Sequence, residues 1–88
     1  MDATSFELIV SVSQDPRFTG AVRELVVCAA QYAGCPASDA TAFAQDVEDA
    51  VRDSLQRVPD GTMLPVTVRR HAGPVEVLVN GHTLSLDV

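Results

Sequence analysis

Apolar and polar residues change their period twice along this chain. Phe6, Leu8, Val10 and Val12 alternate with Glu7, Ile9, Ser11 and Ser13, a period of two that predicts a first strand with one buried face. Asp15-Pro16 reads as a helix start: an aspartate accepts from free backbone N–H groups, and proline lacks the donor that position would waste. Phe18, Val22, Leu25, Ala29 and Tyr32 then recur at steps of three and four, which predicts the buried stripe of a first helix. Val27 and Ala30 fall on the far side of that stripe, beside Arg23. Gly34 can close the helix in a left-handed conformation, and Pro36 stops its continuation.

Ser38 is the expected N-cap of a second helix, whose apolar face is Phe43, Val47, Ala50, Val51, Leu55 and Val58. Asp46, Asp49 and Asp53 line one flank, while Glu48 and Arg52 are spaced to pair at i, i+4. Pro59-Asp60-Gly61 signals a loop, after which the period returns to two. Val66 and Val68, then Val75, Val77 and Val79, read as strands separated by a bend at Ala72-Gly73-Pro74. Asn80-Gly81 is a two-residue hairpin signal leading into His82–Val88. The expected order is strand-helix-helix-strand-strand-strand, an α+β two-layer sandwich with both helices on one face of a mostly antiparallel sheet. All 88 residues fit a single domain, 1–88.

Composition narrows the function. The net charge is −6 and all six basic residues are arginine. Arg69-Arg70 is the one adjacent pair, and on a strand its side chains point to opposite faces. A nucleic-acid role is therefore disfavoured. Without lysine there is no phosphate-loop lysine and no Schiff base. No apolar run is long enough to span a bilayer, and Met1-Asp2-Ala3-Thr4-Ser5 lacks the features of a secretory signal, so the expected location is cytoplasmic. Cys28 and Cys35 are not at a usual zinc spacing from each other, and His71 and His82 lie far off in sequence. Both cysteines are expected to be reduced, structural thiols, and no metal or cofactor is expected.

Three segments carry a resemblance: Ser13-Gln14-Asp15-Pro16-Arg17-Phe18 entering the first helix, Ala33 to Ala40 between the helices, and Val47 to Leu55 in the second helix. Together with strands ending at Val79-Asn80-Gly81, they make the chain resemble the anti-sigma factor and serine-protein kinase branch of the GHKL, or histidine kinase-like, ATPase superfamily. In that family a glutamate and, four residues later, an asparagine serve ATP and magnesium, and an aspartate at a strand end reads the adenine. The resemblance places these roles on Asp49, Asp53 and Asn80. Each differs from the family residue, and His82 falls where the family has glycine. After Gly81 the sequence offers no further glycine from which backbone donors could form a phosphate lid.

The resemblance thus implies a histidine-kinase-ATPase-like domain lacking the ATP lid and later strands, with Asp49, Asp53 and Asn80 as vestiges of a nucleotide site. The expected function is a non-catalytic, protein-binding regulatory module. Its implied partner is a sigma factor, an antagonist protein or a second copy of itself as a homodimer, with Arg17, Arg23 and Val27 as the candidate contact residues. One alternative is an ATP-binding serine-protein kinase whose site is completed by another chain. A second is a structural or assembly protein sharing the architecture.

Overall fold

The computed structural model describes residues 5–15, 17–71 and 73–87. Strand β1 (Phe6–Val12) leads into helices α1 (Arg17–Tyr32) and α2 (Ala37–Arg57), followed by strands β2 (Leu64–Arg70), β3 (Val75–Val79) and β4 (His82–Leu86). The sheet order is β1-β2-β3-β4, antiparallel throughout. Both helices cover one face, so the α+β two-layer architecture expected from the pattern is present. Among the described residues no helix is long and apolar enough to cross a membrane.

Local chemistry explains most of the element ends. The Asp15 carboxylate accepts from the Arg17 backbone N–H at 3.0 Å and from the Arg17 guanidinium at 2.6 Å. That contact holds the Asp15 carboxyl below its usual range. Pro16, the other half of the expected start, lies outside the described residues. At the far end of α1, Gly34 has φ 101°. Its N–H bonds to the Gln31 carbonyl at 3.0 Å, and the Cys35 N–H bonds to the Ala30 carbonyl at 3.0 Å. These two bonds form a Schellman cap.

The start of α2 departs from expectation. Pro36, not Ser38, is the N-cap, and no side chain caps the helix. The Pro36 carbonyl accepts the first helical bond, from Ala40 at 2.9 Å, so the helix begins as soon as the Schellman turn releases the chain. At the other end of the molecule, Asn80 (φ 47°) and Gly81 (φ 86°) both adopt left-handed backbone. With Val79 paired to His82, they form the two-residue, type I′ hairpin that the sequence signals.

The core is made mostly of valine. Val66 and Val68 of β2 face Val79 and Val77 of β3 in register, and all four are fully buried. Above them lie Val47 and Val51 of α2 and Val26 of α1, also without exposure. The two helices meet through small residues: Ala30 and Ala40 are fully buried together with Cys35, and Ala44 is buried in the main cluster.

That close helix contact fixes the rotation of α1, and it is not the rotation expected. The buried residues of α1 are Thr19, Val22, Val26, Ala29 and Ala30. Phe18 is 48% exposed and Tyr32 63% exposed, and Leu25 is half-buried. Ala30 and Val27, expected on the outer side, instead face the helix pair: Ala30 is buried, and Val27 packs against both apolar clusters. The reason is volume. Helices joined through alanines leave no room for two aromatic rings between them, so the rings are turned outward.

Candidate functional site

Asp49 and Asp53 share one face of α2, and their side chains are 59% and 58% exposed. Each already has local partners. Asp49 accepts from Gln45 at 3.2 Å and from Arg52 at 3.3 Å, and Asp53 pairs with Arg57 at 3.1 Å. Such i, i+3 and i, i+4 pairs are ordinary helix-surface interactions. Asn80 sits at the exposed β3–β4 turn, where its left-handed backbone accounts for the residue type. Among the described residues, no hydrogen bond or ion pair links Asn80 to either aspartate, and none of the cavities described below includes the three.

The glutamate in that part of α2 is Glu48, one residue before the expected position, and it is buried. Arg23 of α1 approaches it at 3.7 Å and Arg52 at 3.4 Å. Burial of a carboxylate is tolerated when positive groups surround it, and here the two arginines come from different helices. The network therefore joins α1 to α2. The Arg23 Nε is itself buried without a hydrogen-bond partner, so the ion pair is all that compensates it.

Of the candidate contact residues, Arg17 is tied to Asp15, Arg23 to Glu48, and Val27 is half-buried against the core. Arg23 and Val27 line one hollow together with Glu24, Cys28 and Thr41, and Arg17 is not part of its lining. Cys28 and Cys35 are both free thiols, but they differ: Cys35 is buried, whereas Cys28 is exposed. Burial, helped by nearby Asp39, raises the Cys35 thiol pKa. Among the described residues, no group of three or more His, Cys, Asp or Glu side chains is placed to hold a metal ion.

An uncharged feature lies where the rotation of α1 leaves it, between α1 and the edge strand β1. Two adjoining hollows form one groove. The first, about 130 Å³, is lined by Val10, Ser11, Val12, Phe18, Ala21, Val22 and Leu25. The second, about 440 Å³, is lined by Phe6, Leu8, Leu25, Cys28, Ala29 and Tyr32. Leu25 belongs to both. Tyr32 packs edge-to-face on Phe6 with centroids 6.0 Å apart, closing one end, and exposed Phe18 borders the other. Leu8, 43% exposed, forms part of the floor.

The sequence does contain a signal for this groove. Phe18, Ala21, Leu25, Cys28 and Tyr32 are spaced by three, four, three and four residues, the seam of a helix packed against another element. A further residue that the sequence pattern does not single out is Gln14. Its amide nitrogen reaches the carbonyls of Leu55, Val58 and Pro59 at 3.3, 3.4 and 3.2 Å, while its oxygen accepts from the Gly61 N–H at 2.9 Å. It satisfies carbonyls left over at the end of α2.

Comparison with known proteins gives no matching family model, no matching curated protein and no matching solved structure. The functional reading therefore rests on the residues and their placement.

Proposed function

We propose that this chain is a non-catalytic, protein-binding regulatory module. The observation that carries the reading is the groove between α1 and β1: a mostly apolar surface bordered by Phe18 and Tyr32, beside a strand edge that no other described strand pairs. Aromatic residues on a concave apolar surface are the usual anchors of protein contacts, and an unpaired strand edge accepts an added strand.

The nucleotide positions support the same reading. Asp49 and Asp53 project from an exposed helix face into local pairs, a placement that does not converge on a phosphate or a magnesium ion. By the resemblance to anti-sigma factors, the partner is a regulatory protein of the cytoplasm, either a sigma factor or its antagonist, or a second copy of the chain.

Two measurements test the proposal. Calorimetric titration with Mg-ATP is expected to show no saturable heat at millimolar nucleotide, for the wild type and for Asp53→Asn alike. Saturable binding would replace the proposal with the nucleotide-binding one. Affinity capture with the purified chain as bait is expected to retain a defined protein in the wild type and to lose it in Leu25→Glu. Equal retention by both would remove the groove from the account.

A further inference from the structure

We infer that the α1–β1 groove is the contact between two copies of this chain, joined β1 to β1 about a two-fold axis. The inference rests on the reading of the chain as a protein-binding module and names the occupant of its groove.

The first argument is the symmetry of the surface itself. A two-fold contact must be complementary to its own rotated copy. Ile9 is the middle residue of β1, and Leu25 is the midpoint of the exposed stripe from Phe18 to Tyr32. These two centres lie at one level. Leu25 lines the hollow with Val10 and Val12 on one side, and the hollow with Phe6 and Leu8 on the other. An axis at this level sets Phe18 of each copy against Tyr32 of the other, and Leu25 against its own copy. The stripe reads nearly the same from either end, aromatic, small, leucine, small, aromatic.

The strand supports the same axis. Antiparallel pairing of β1 with its copy about Ile9 places Phe6 opposite Val12, Glu7 opposite Ser11 and Leu8 opposite Val10. No like charges meet, although each copy carries a net charge of −6. Like charges directly opposite would be destabilising. The contact would extend the antiparallel sheet from four strands to eight. Over it, α1 and its copy would lie side by side, because one helix spans roughly the width of two strands.

Length fits as well. The seven residues of β1 and the sixteen of α1 both extend about 24 Å at the standard rises. The face is therefore about 24 Å long and about 20 Å deep through the two layers. That projected area is smaller than the roughly 800 Å² each partner buries in a typical tight complex. A reversible dimer that dissociates on dilution is expected. Because both copies are acidic, added salt should strengthen it.

The other sheet edge lacks these features. Strand β4 has five residues, and none of the cavities described above is lined by it.

Sedimentation equilibrium and register-specific cross-linking test the assignment. The wild type is expected to shift with concentration from 9.3 kDa toward twice that mass. Leu25→Glu and Ile9→Lys, which bring like charges together across the axis, should remain monomeric while keeping the wild-type circular dichroism spectrum. Thr83→Glu on β4 should leave the dimer intact. In a Cys28→Ser background, Ile9→Cys should oxidise to a covalent dimer, because directly opposed residues of antiparallel strands come within disulfide reach. Ser11→Cys, which faces Glu7 in this register, should not.

A 9.3 kDa species at every concentration would overturn the second-copy assignment. So would a dimer abolished by Thr83→Glu but untouched by Leu25→Glu. Capture of a different protein by such a monomer would preserve the broader reading of a binding module, which fails separately if no protein is retained.

Discussion

Strands β1 and β3 have nearly the same pattern in sequence and opposite surroundings in the fold. In β3, Val75, Val77 and Val79 are all fully buried, flanked by β2 and β4 and covered by α2. In β1, the corresponding alternate residues are Phe6, Leu8, Val10 and Val12, and only Val12 is buried. Alternation specifies which residues share a face. Whether that face is covered depends on what the neighbouring helix does with its own volume, and α1 is drawn toward α2 through alanines, away from β1. One strand belongs to the core and the other keeps an apolar face available.

The contrast can be broken most forcefully at the core. Val77→Ala removes two methyl equivalents from a site that cannot collapse easily and should cost about 2–3 kcal/mol. Leu8→Ala, on the helix-facing side of β1 and 43% exposed, should cost no more than about 1 kcal/mol when measured at concentrations where the chain is monomeric. Urea unfolding of the two variants checks both values, and similar losses would mean that β1 is covered after all.

A smaller loss should follow from uncoupling the helices. Glu48→Ala removes the carboxylate shared by Arg23 and Arg52 and leaves the buried Arg23 Nε without compensation. Because both arginines are about half exposed, the cost should be about 1–2 kcal/mol, below that of a fully buried pair. Arg57→Ala, which breaks only the exposed pair with Asp53, should cost no more than about 0.5 kcal/mol. Gln14→Ala, which frees the carbonyls at the end of α2, should cost about 1 kcal/mol.

The two thiols give the gentlest test of the same contrast. Cys28 opens on the groove and should be alkylated readily in the folded chain. Cys35, protonated and buried, should resist until the chain unfolds. Its raised pKa means that its contribution to stability is complete below the ordinary thiol range and is lost as pH rises through the raised value. Cys35→Ala should remove that alkaline decline. Mass spectrometry after pulse alkylation and thermal melts across alkaline pH provide the measurements.

Much of this fold was legible in the sequence, because its signals are local. The two changes of period, the Asp15 cap, the Gly34 termination and the Asn80-Gly81 hairpin each depend on a few adjacent residues. The rotation of α1 was not legible in the same way. Two stripes on that helix have spacings of three and four, and the stripe with larger side chains suggested the core. Close contact between helices favours the stripe with smaller ones. Ser38 failed as an N-cap for a related reason: the Schellman turn at Gly34 and Cys35 fixes where the next helix can begin. The Glu48–Arg52 pair follows from its i, i+4 spacing, but the Glu48–Arg23 pair and the Gln14 contacts join residues far apart in the chain, and no spacing rule reports them. Asp49, Asp53 and Asn80 were chosen by resemblance, and their surroundings are those of a helix surface and a hairpin turn.

Amide hydrogen exchange followed as a function of protein concentration tests the central claim most directly. The account predicts slow exchange in β2 and β3 at every concentration, with protection of β1 rising as the chain is concentrated and β4 unchanged. Protection of β1 that is independent of concentration, or a rise confined to β4, would contradict it.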